Sequence, residues 1–164
     1  MIYIALGANL PSAAGPPEAT LRRVLELLPK RAVAVEAVSA FWRTPAWPNA
    51  SDPAFVNAVA RVRTKLAPGE LMRALLQIER EFGRKRSAKW APRALDLDIL
   101  DYAGLVTDAA HLMLPHPQMH DRNFVLRPLA DIAPDWRHPV TGQPVGDLLK
   151  IAGEAGLARL EIVP

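Results

Sequence analysis

Phe55 to Thr64 alternates over its whole length. Val56, Ala58, Ala60 and Val62 make one apolar row, and Phe55, Asn57, Val59, Arg61 and Arg63 make the other. A period of two belongs to an extended strand with two unlike faces, so the chain must build a sheet that buries one face against another layer. Residues 2–7 form a shorter apolar run ended by Gly7 and read as a buried strand. Val33 to Arg43, rich in valine, predicts a third strand, and Leu95 to Tyr102 a fourth.

Between these segments the period becomes helical. After a proline-bearing loop from Asn9 to Pro17, Leu21, Val24, Leu25 and Leu28 recur at helix spacing, and Pro29 closes the run. Pro68 to Phe82 predicts a second helix with Leu71, Leu75, Ile78 and Phe82 as its buried stripe and Gly83 just past its end. Thr44 to Pro53 reads as a loop. Beyond Gly104 come short pieces: Leu112–Leu114, a Pro-His-Pro turn at 115–117, helices near 119–127 and 144–152, and an edge strand from Leu160 to Val163. The order is β-α-β-β-α-β with a C-terminal extension. That order predicts an α+β fold: a ferredoxin-like core, a mostly antiparallel sheet, and helices packed on one of its faces.

Composition narrows the class. The 164 residues are read as one domain, 1–164. There is no cysteine, which excludes disulfide scaffolds, thiolate zinc sites and thiol catalysis. No apolar run approaches the ~20 residues of a membrane span, and the N-terminus lacks the basic region of a signal peptide, so a cytoplasmic protein without membrane contact is expected. The formal net charge of +3 is too small to imply nucleic acid by itself.

The chemistry lies in residues 84–98. Alternation in Leu95 to Leu100 puts Leu95, Leu97 and Ile99 on one face and Asp96 and Asp98 on the other. Carboxylates at i and i+2 lie roughly 6–7 Å apart and can flank a hard cation such as Mg²⁺ or bridge two. Alone, the pair reads first as a solvated strand face, much as Glu79-x-Glu81 does on a helix. Just upstream, however, Arg84, Lys85, Arg86, Lys89 and Arg93 put five cations into ten residues without an acid, with Trp90 among them. Cations for polyphosphate oxygens, carboxylates for Mg²⁺ and a ring for a base together describe a Mg–nucleotide phosphoryl-transfer site. The P-loop pattern G-x-x-x-x-G-K-[ST] is missing from the sequence.

Here the sequence resembles a known family. Lys89-Trp90-Ala91-Pro92-Arg93-Ala94-Leu95-Asp96-Leu97-Asp98-Ile99-Leu100 resembles the signature of the 6-hydroxymethyl-7,8-dihydropterin pyrophosphokinases of folate synthesis. Ala5-Leu6-Gly7-Ala8-Asn9-Leu10 resembles their G-[SA]-N-L start, Phe41-Trp42-Arg43-Thr44-Pro45 their (F/Y)-x-T-x-P region, and Phe55-Val56-Asn57-Ala58 their aromatic-x-N-A element. Ile78-Glu79 with Gly83-Arg84, and the block from Pro115 to Leu129, match in order as well.

The resemblance implies transfer of the β,γ-pyrophosphoryl group of ATP to the hydroxymethyl oxygen of the dihydropterin, with AMP leaving. It implies Asp96 and Asp98 as ligands of two Mg²⁺ ions, and Arg84 and Arg93 as the catalytic cations. Glu79, Arg84, Lys89, Trp90, Ile99, His111, His116 and Arg122 fall on the ATP side. Thr44, Pro45, Trp47, Phe55, Asn57, Asp96 and Phe124 fall on the pterin side, with Phe55 and Phe124 sandwiching the bicycle. A monomer acting on small molecules is implied. Phe55 stands where the family usually has tyrosine, Gln118 where arginine is common, and Lys89 where others have arginine. Without the motifs, Phe55 and Phe124 read as core aromatics and His116 as part of a rigid turn. Two other functions fit parts of the pattern: an RNA-binding sheet, which should carry exposed aromatics and no carboxylate pair, and a Mg-dependent nucleotidyltransferase, which should release pyrophosphate.

Overall fold

The computed structural model describes residues 1–46, 48–83 and 94–161. Its strands are β1 (Ile2–Ala8), β2 (Val33–Val38), β3 (Trp42–Thr44), β4 (Phe55–Thr64), β5 (Asp96–Tyr102), β6 (Thr107–Ala109), β7 (Leu112–Leu114) and β8 (Ala158–Arg159). The helices are α1 (Pro17–Leu27), α2 (Pro68–Glu81), α3 (Asn123–Ile132) and α4 (Val145–Ala152). The main sheet runs β5-β1-β4-β3-β8 with β2 also on β4, and every pairing is antiparallel. The strand from Val33 to Arg43 is thus two strands on one partner. At the break, the Ser39 N–H donates to the Val59 carbonyl and the Ser39 hydroxyl accepts the Val59 N–H, so a side chain replaces a ladder carbonyl.

The alternating strands sort their residues as expected. Ile2, Ile4, Leu6 and Ala8 of β1, Val56, Ala58, Ala60 and Val62 of β4 and Leu97 and Ile99 of β5 meet Leu21 and Val24 of α1 and Leu71, Leu75 and Ile78 of α2 in one core. Pro68 starts α2, where a missing N–H costs nothing, and the Glu70 carboxylate accepts the Ala67 N–H at 2.7 Å.

The two helices of the β-α-β-β-α-β core share one face, and the second face is left to the C-terminal extension. The C-terminal extension folds back over the second face: Val125, Leu126 and Leu129 of α3 and Val145, Leu148 and Leu149 of α4 pack on Tyr3, Val59 and Leu100. Leu100 lies on that side by the same alternation that puts Asp96 and Asp98 there, and a register shift between Tyr3 and Ile4 brings Asp101 onto it opposite Tyr3. A third layer follows from the sequence all the same, since Tyr3, Val59 and Leu100 would otherwise stay wet. An edge strand forms at Ala158–Arg159, and the predicted strand from Leu160 to Val163 lies in part outside the described residues, which end at 161. The proposed helix near 119–127 is a single 3₁₀ turn at Met119–Asp121 followed by α3, which runs through Pro128 to Ile132. No helix among the described residues is long and apolar enough to cross a membrane.

Candidate active site

The second face of the sheet is covered along only part of its length. At the other end one register row reads Asp96 on β5, Gly7 on β1, Asn57 on β4 and Trp42 on β3. The next row holds Asp98, Ala5 and Val59. Paired residues share a face, so the carboxylates and the Asn57 amide look the same way across a floor of glycine and alanine. With strands about 4.8 Å apart, Asp96 and Asn57 are separated by about 10 Å at their Cα atoms. The small residues of β1 make this a trough.

Gly7 leaves room there for the Asn57 amide. A Cβ on it would sit 3.1 Å from Asn57 Oδ1. Asn57 is buried and its Nδ2 donates to Thr44 Oγ1 at 3.0 Å, which fixes the amide and keeps Oδ1 over Gly7. Phe55 and Thr44 pair one step further along, so Thr44, Phe55 and Asn57 form one wall. Pro45 is exposed, with the Gly156 backbone close behind it: a Cβ there would meet the proline ring at 3.1 Å.

The segment leading into α3 supplies the opposite rim. His116 Nε2 lies 3.9 Å from Asp98 Oδ2. Its Nδ1 accepts the Gln118 N–H at 3.2 Å, so the neutral ring carries its proton on Nε2, toward Asp98. Burial, and then the Arg122 charge, push the His116 imidazole down to about 4, against a smaller opposing pull from Asp96. Arg122 is also drawn down by burial and held up by Asp98 and Asp96. It donates from Nη2 to Gln118 Oε1, so the glutamine in the usual arginine position engages Arg122. The Arg122 guanidinium carbon stands 5.6 Å from the centre of the Phe124 ring. Asp96, Asp98, His116, Arg122 and Phe124 therefore meet along one side of the trough.

Other predicted residues lie elsewhere. Glu79 is buried on α2, and its Oε1 accepts the Leu97 N–H at 2.9 Å. It is attached to the backbone between the two aspartates. The Ile99 side chain is in the α1–α2 core, on the far face of β5 from the carboxylates. His111 is exposed at the turn between β6 and β7. Arg84, Lys89, Trp90, Arg93 and Trp47 lie outside the described residues.

Two contributors carry no role in the sequence reading. Asn9 is buried and donates from Nδ2 to the Pro53 carbonyl at 3.0 Å, tying the loop after β1 to the approach to Phe55. Its place in the Gly7-Ala8-Asn9-Leu10 motif was the available signal. Trp42 bonds Asp131, 89 residues away, and no local pattern marks that pair.

The pair Asp96–Asp98 offers hard oxygen donors, which suits Mg²⁺ completed by phosphate oxygens and water. Among the described residues no group of three or more His, Cys, Asp or Glu side chains is placed to hold a metal ion. Two clefts lie away from the trough. One, of about 440 Å³, is lined by Tyr3, Arg61, Asp101 and Trp136, and the other, of about 580 Å³, by Arg22, Arg23, Glu26 and Phe82. Neither is lined by a residue of the trough.

Known proteins share this fold. Folded chains with the same architecture include Plasmodium falciparum HPPK-DHPS, wild type with pteroate, at a TM-score of 0.76 and 12% identity over 98% of this chain and 48% of that one. Another, HPPK-DHPS in complex with substrates, matches at a TM-score of 0.75 and 12% identity over 99% of this chain and 46% of that one. This chain spans about half the length of those proteins, and at such identity the likeness concerns the fold. Curated relatives are much nearer in sequence. A 2-amino-4-hydroxy-6-hydroxymethyldihydropteridine pyrophosphokinase of Pseudomonas aeruginosa is 43% identical over 159 residues, 97% of this chain and 96% of that one. The enzyme of the same name from Synechocystis is 40% identical over 148 residues, 90% of this chain and 73% of that one. The sequence profile described as 7,8-dihydro-6-hydroxymethylpterin-pyrophosphokinase (HPPK) matches residues 3–134, a span that takes in the trough from Gly7 to Phe124, and the chain belongs to that family.

Proposed function

We propose that the trough between β4 and β5 is where this chain performs its family's reaction. The activity is pyrophosphoryl transfer from ATP, the co-substrate, to 6-hydroxymethyl-7,8-dihydropterin in folate biosynthesis. The alcohol oxygen bonds the β-phosphorus, the bond from that phosphorus to the α-phosphate oxygen breaks, AMP leaves, and the hydroxyl proton is released.

The observation that carries the assignment of residues is the single row Asp96–Gly7–Asn57 with His116 and Arg122 above its β5 end. Asn57, held by Thr44, presents Oδ1 to a ring N–H of the pterin, while Phe55 and Phe124 close on its faces and Pro45 and Trp47 border it. Asp96 and Asp98 would hold two Mg²⁺ ions, which would neutralise triphosphate charge and help orient the nucleophile. His116 donates from Nε2 to a phosphate oxygen, and being neutral it competes little for the carboxylates. Arg122 grips phosphate, and Arg84 and Arg93 stabilise the charge that develops on the transferring group. Lys89, Trp90 and His111 complete the ATP side. Glu79 acts at one remove, by holding the Leu97 N–H between the two aspartates.

Residues 1–164 work as one domain and as a monomer, in the cytoplasm, on small molecules only. Two carboxylates on the open face of the sheet repel a nucleic-acid backbone, which speaks against the RNA-binding reading. The test is one incubation with ATP, Mg²⁺ and 6-hydroxymethyl-7,8-dihydropterin. AMP and pterin diphosphate in equal amounts are expected. Free pyrophosphate with an adenylylated product would turn the reading into nucleotidyl transfer, and ADP would overturn both.

A further inference from the structure

Trp42 occupies the row of Asn57 but takes no part in the chemistry above. Its indole N–H donates to Asp131 Oδ2 on α3 at 2.8 Å. Arg127, one turn earlier on α3, donates from Nη2 to Asp131 Oδ1, also at 2.8 Å. The same guanidinium lies over the Trp42 ring, its carbon 5.5 Å from the ring centre. Arg127 Nη1 also stands 3.5 Å from Glu154, in the segment between α4 and β8. Indole, carboxylate and guanidinium thus close a triangle between β3 and α3. The Asp131 carboxylate uses both oxygens, and the arginine charge is met on one side by acid and on the other by an aromatic face.

The triangle's position gives it meaning. Phe124 is three residues before Arg127 on α3 and so lies on the same side of that helix. Trp42 is paired with Asn57, and two residues on in β3 is Thr44, which holds the Asn57 amide. One end of the triangle is therefore fixed to the wall of Thr44, Phe55 and Asn57, and the other to the helix that bears Phe124. A flat bicycle stacked on both sides needs roughly 7 Å between its walls, two carbon–carbon contact distances. A shift of about 1 Å at that gap loses stacking on one face.

Resting on the pterin site proposed above, we propose that Trp42, Arg127 and Asp131 are positioning residues that set the width of the dihydropterin slot by bracing β3 against α3. They touch neither substrate nor the reacting phosphates. The brace acts on the binding of one substrate and leaves the other alone.

The experiment compares wild type with Asp131→Ala, Asp131→Asn and Trp42→Phe. It reads KM for each substrate, kcat, direct binding of 6-hydroxymethylpterin, and the melting temperature. Asp131→Ala removes both bonds, and about a tenfold rise in pterin KM and Kd is expected, with ATP KM within about twofold. Trp42→Phe keeps the ring and removes one bond, so a smaller rise in the same two constants is expected. Asp131→Asn still offers an acceptor oxygen to the indole and should recover most of the loss. Equal rises for ATP and pterin would overturn the proposal, as would a fall in melting temperature with unchanged pterin binding. If Asp131→Ala does not fold, Trp42→Phe decides by the same criteria. A wild-type protein that makes no AMP from the two substrates refutes the functional reading and the brace with it. An active wild type with indifferent variants refutes the brace alone.

Discussion

Val56, Ala58, Ala60 and Val62 on one side of β4, with Leu97 and Ile99 of β5, are sealed beneath α1 and α2. On the other side the same strands carry Phe55, Asn57, Asp96 and Asp98 at one end, while Val59 and Leu100 farther along are covered by α3 and α4. The first face is apolar along its full length, so packing fixes strand register there: a one-residue slip would exchange the two faces. The second is divided by position along the strand, packed where the C-terminal helices reach and polar where they do not. The secure face lets the other hold two carboxylates side by side, an arrangement that stabilises nothing by itself.

The sharpest way to break this comparison is to truncate neighbours on β5 that point opposite ways. Asp98→Ala should lower kcat by on the order of 10³-fold while the protein melts and elutes as wild type. Normal turnover would remove Asp98 from the proposed metal site. Leu97→Ala, one residue away and 1% exposed, should cost about 3 kcal/mol in urea unfolding while the folded fraction keeps its kcat. Should Leu97→Ala abolish turnover at full folding, the division of labour between the faces would be wrong.

The same division explains what could be read from the chain. The α1–α2 face was legible because one period runs without interruption through β1, β4 and β5 and through the stripes of both helices. Asp96, Asp98 and Asn57 were legible as polar residues within a regular alternation, whereas Phe55 stood out only through the motif it shares with the family, since an aromatic ring in a strand otherwise reads as core. The break at Ser39 was not, because it depends on a side chain substituting for a backbone group across to Val59. Nor was the length of α3: Pro128 lies inside it, where it removes one helical bond, and burial of Val125, Leu126 and Leu129 against the sheet outweighs that loss. Asp131 lies in the part of α3 beyond that proline. Ile99 was legible as a core residue from the same alternation, and its side chain faces the α1–α2 core.

A gentler break moves one wall of the trough. Gly7→Ala puts a methyl 3.1 Å from Asn57 Oδ1, closer than ordinary contact, in a strand whose backbone accepts alanine readily. The Asn57 amide must shift by a few tenths of an ångström, and its bond to Thr44 must lengthen or bend. Pterin KM should rise about fivefold, with ATP KM and melting temperature nearly unchanged, as measured by initial rates with each substrate varied in turn. An equal effect on both substrates would mean that Gly7 matters to the sheet and not to the Asn57 wall.

The smallest effect belongs to the packed end of the second face. His138 is buried, and its Nδ1 accepts the N–H groups of Val140 and Thr141 at 3.2 and 3.3 Å, shaping the turn that leads into α4. Its ring meets the edge of Trp136 at 5.9 Å and of His120 at 6.1 Å between centres. Burial, and then the His120 charge, lower its pKa, with Asp101 pulling weakly the other way. Below the ordinary imidazole value of about 6.5 the unfolded chain binds this proton first. Stability from this group is therefore complete above that value and is lost as the pH falls from there toward the lower folded-state pKa. His116, also lowered, contributes in the same direction, so the comparison must be made between proteins that share it. His138→Asn keeps an acceptor for the two N–H groups and does not titrate. Between about pH 7.5 and about pH 5.5 the wild type should lose more melting temperature than this variant, while kcat near neutrality is the same for both. Equal losses would show that the Nδ1 bonds survive acid, and a fall in kcat would show that the packed end and the trough are not independent.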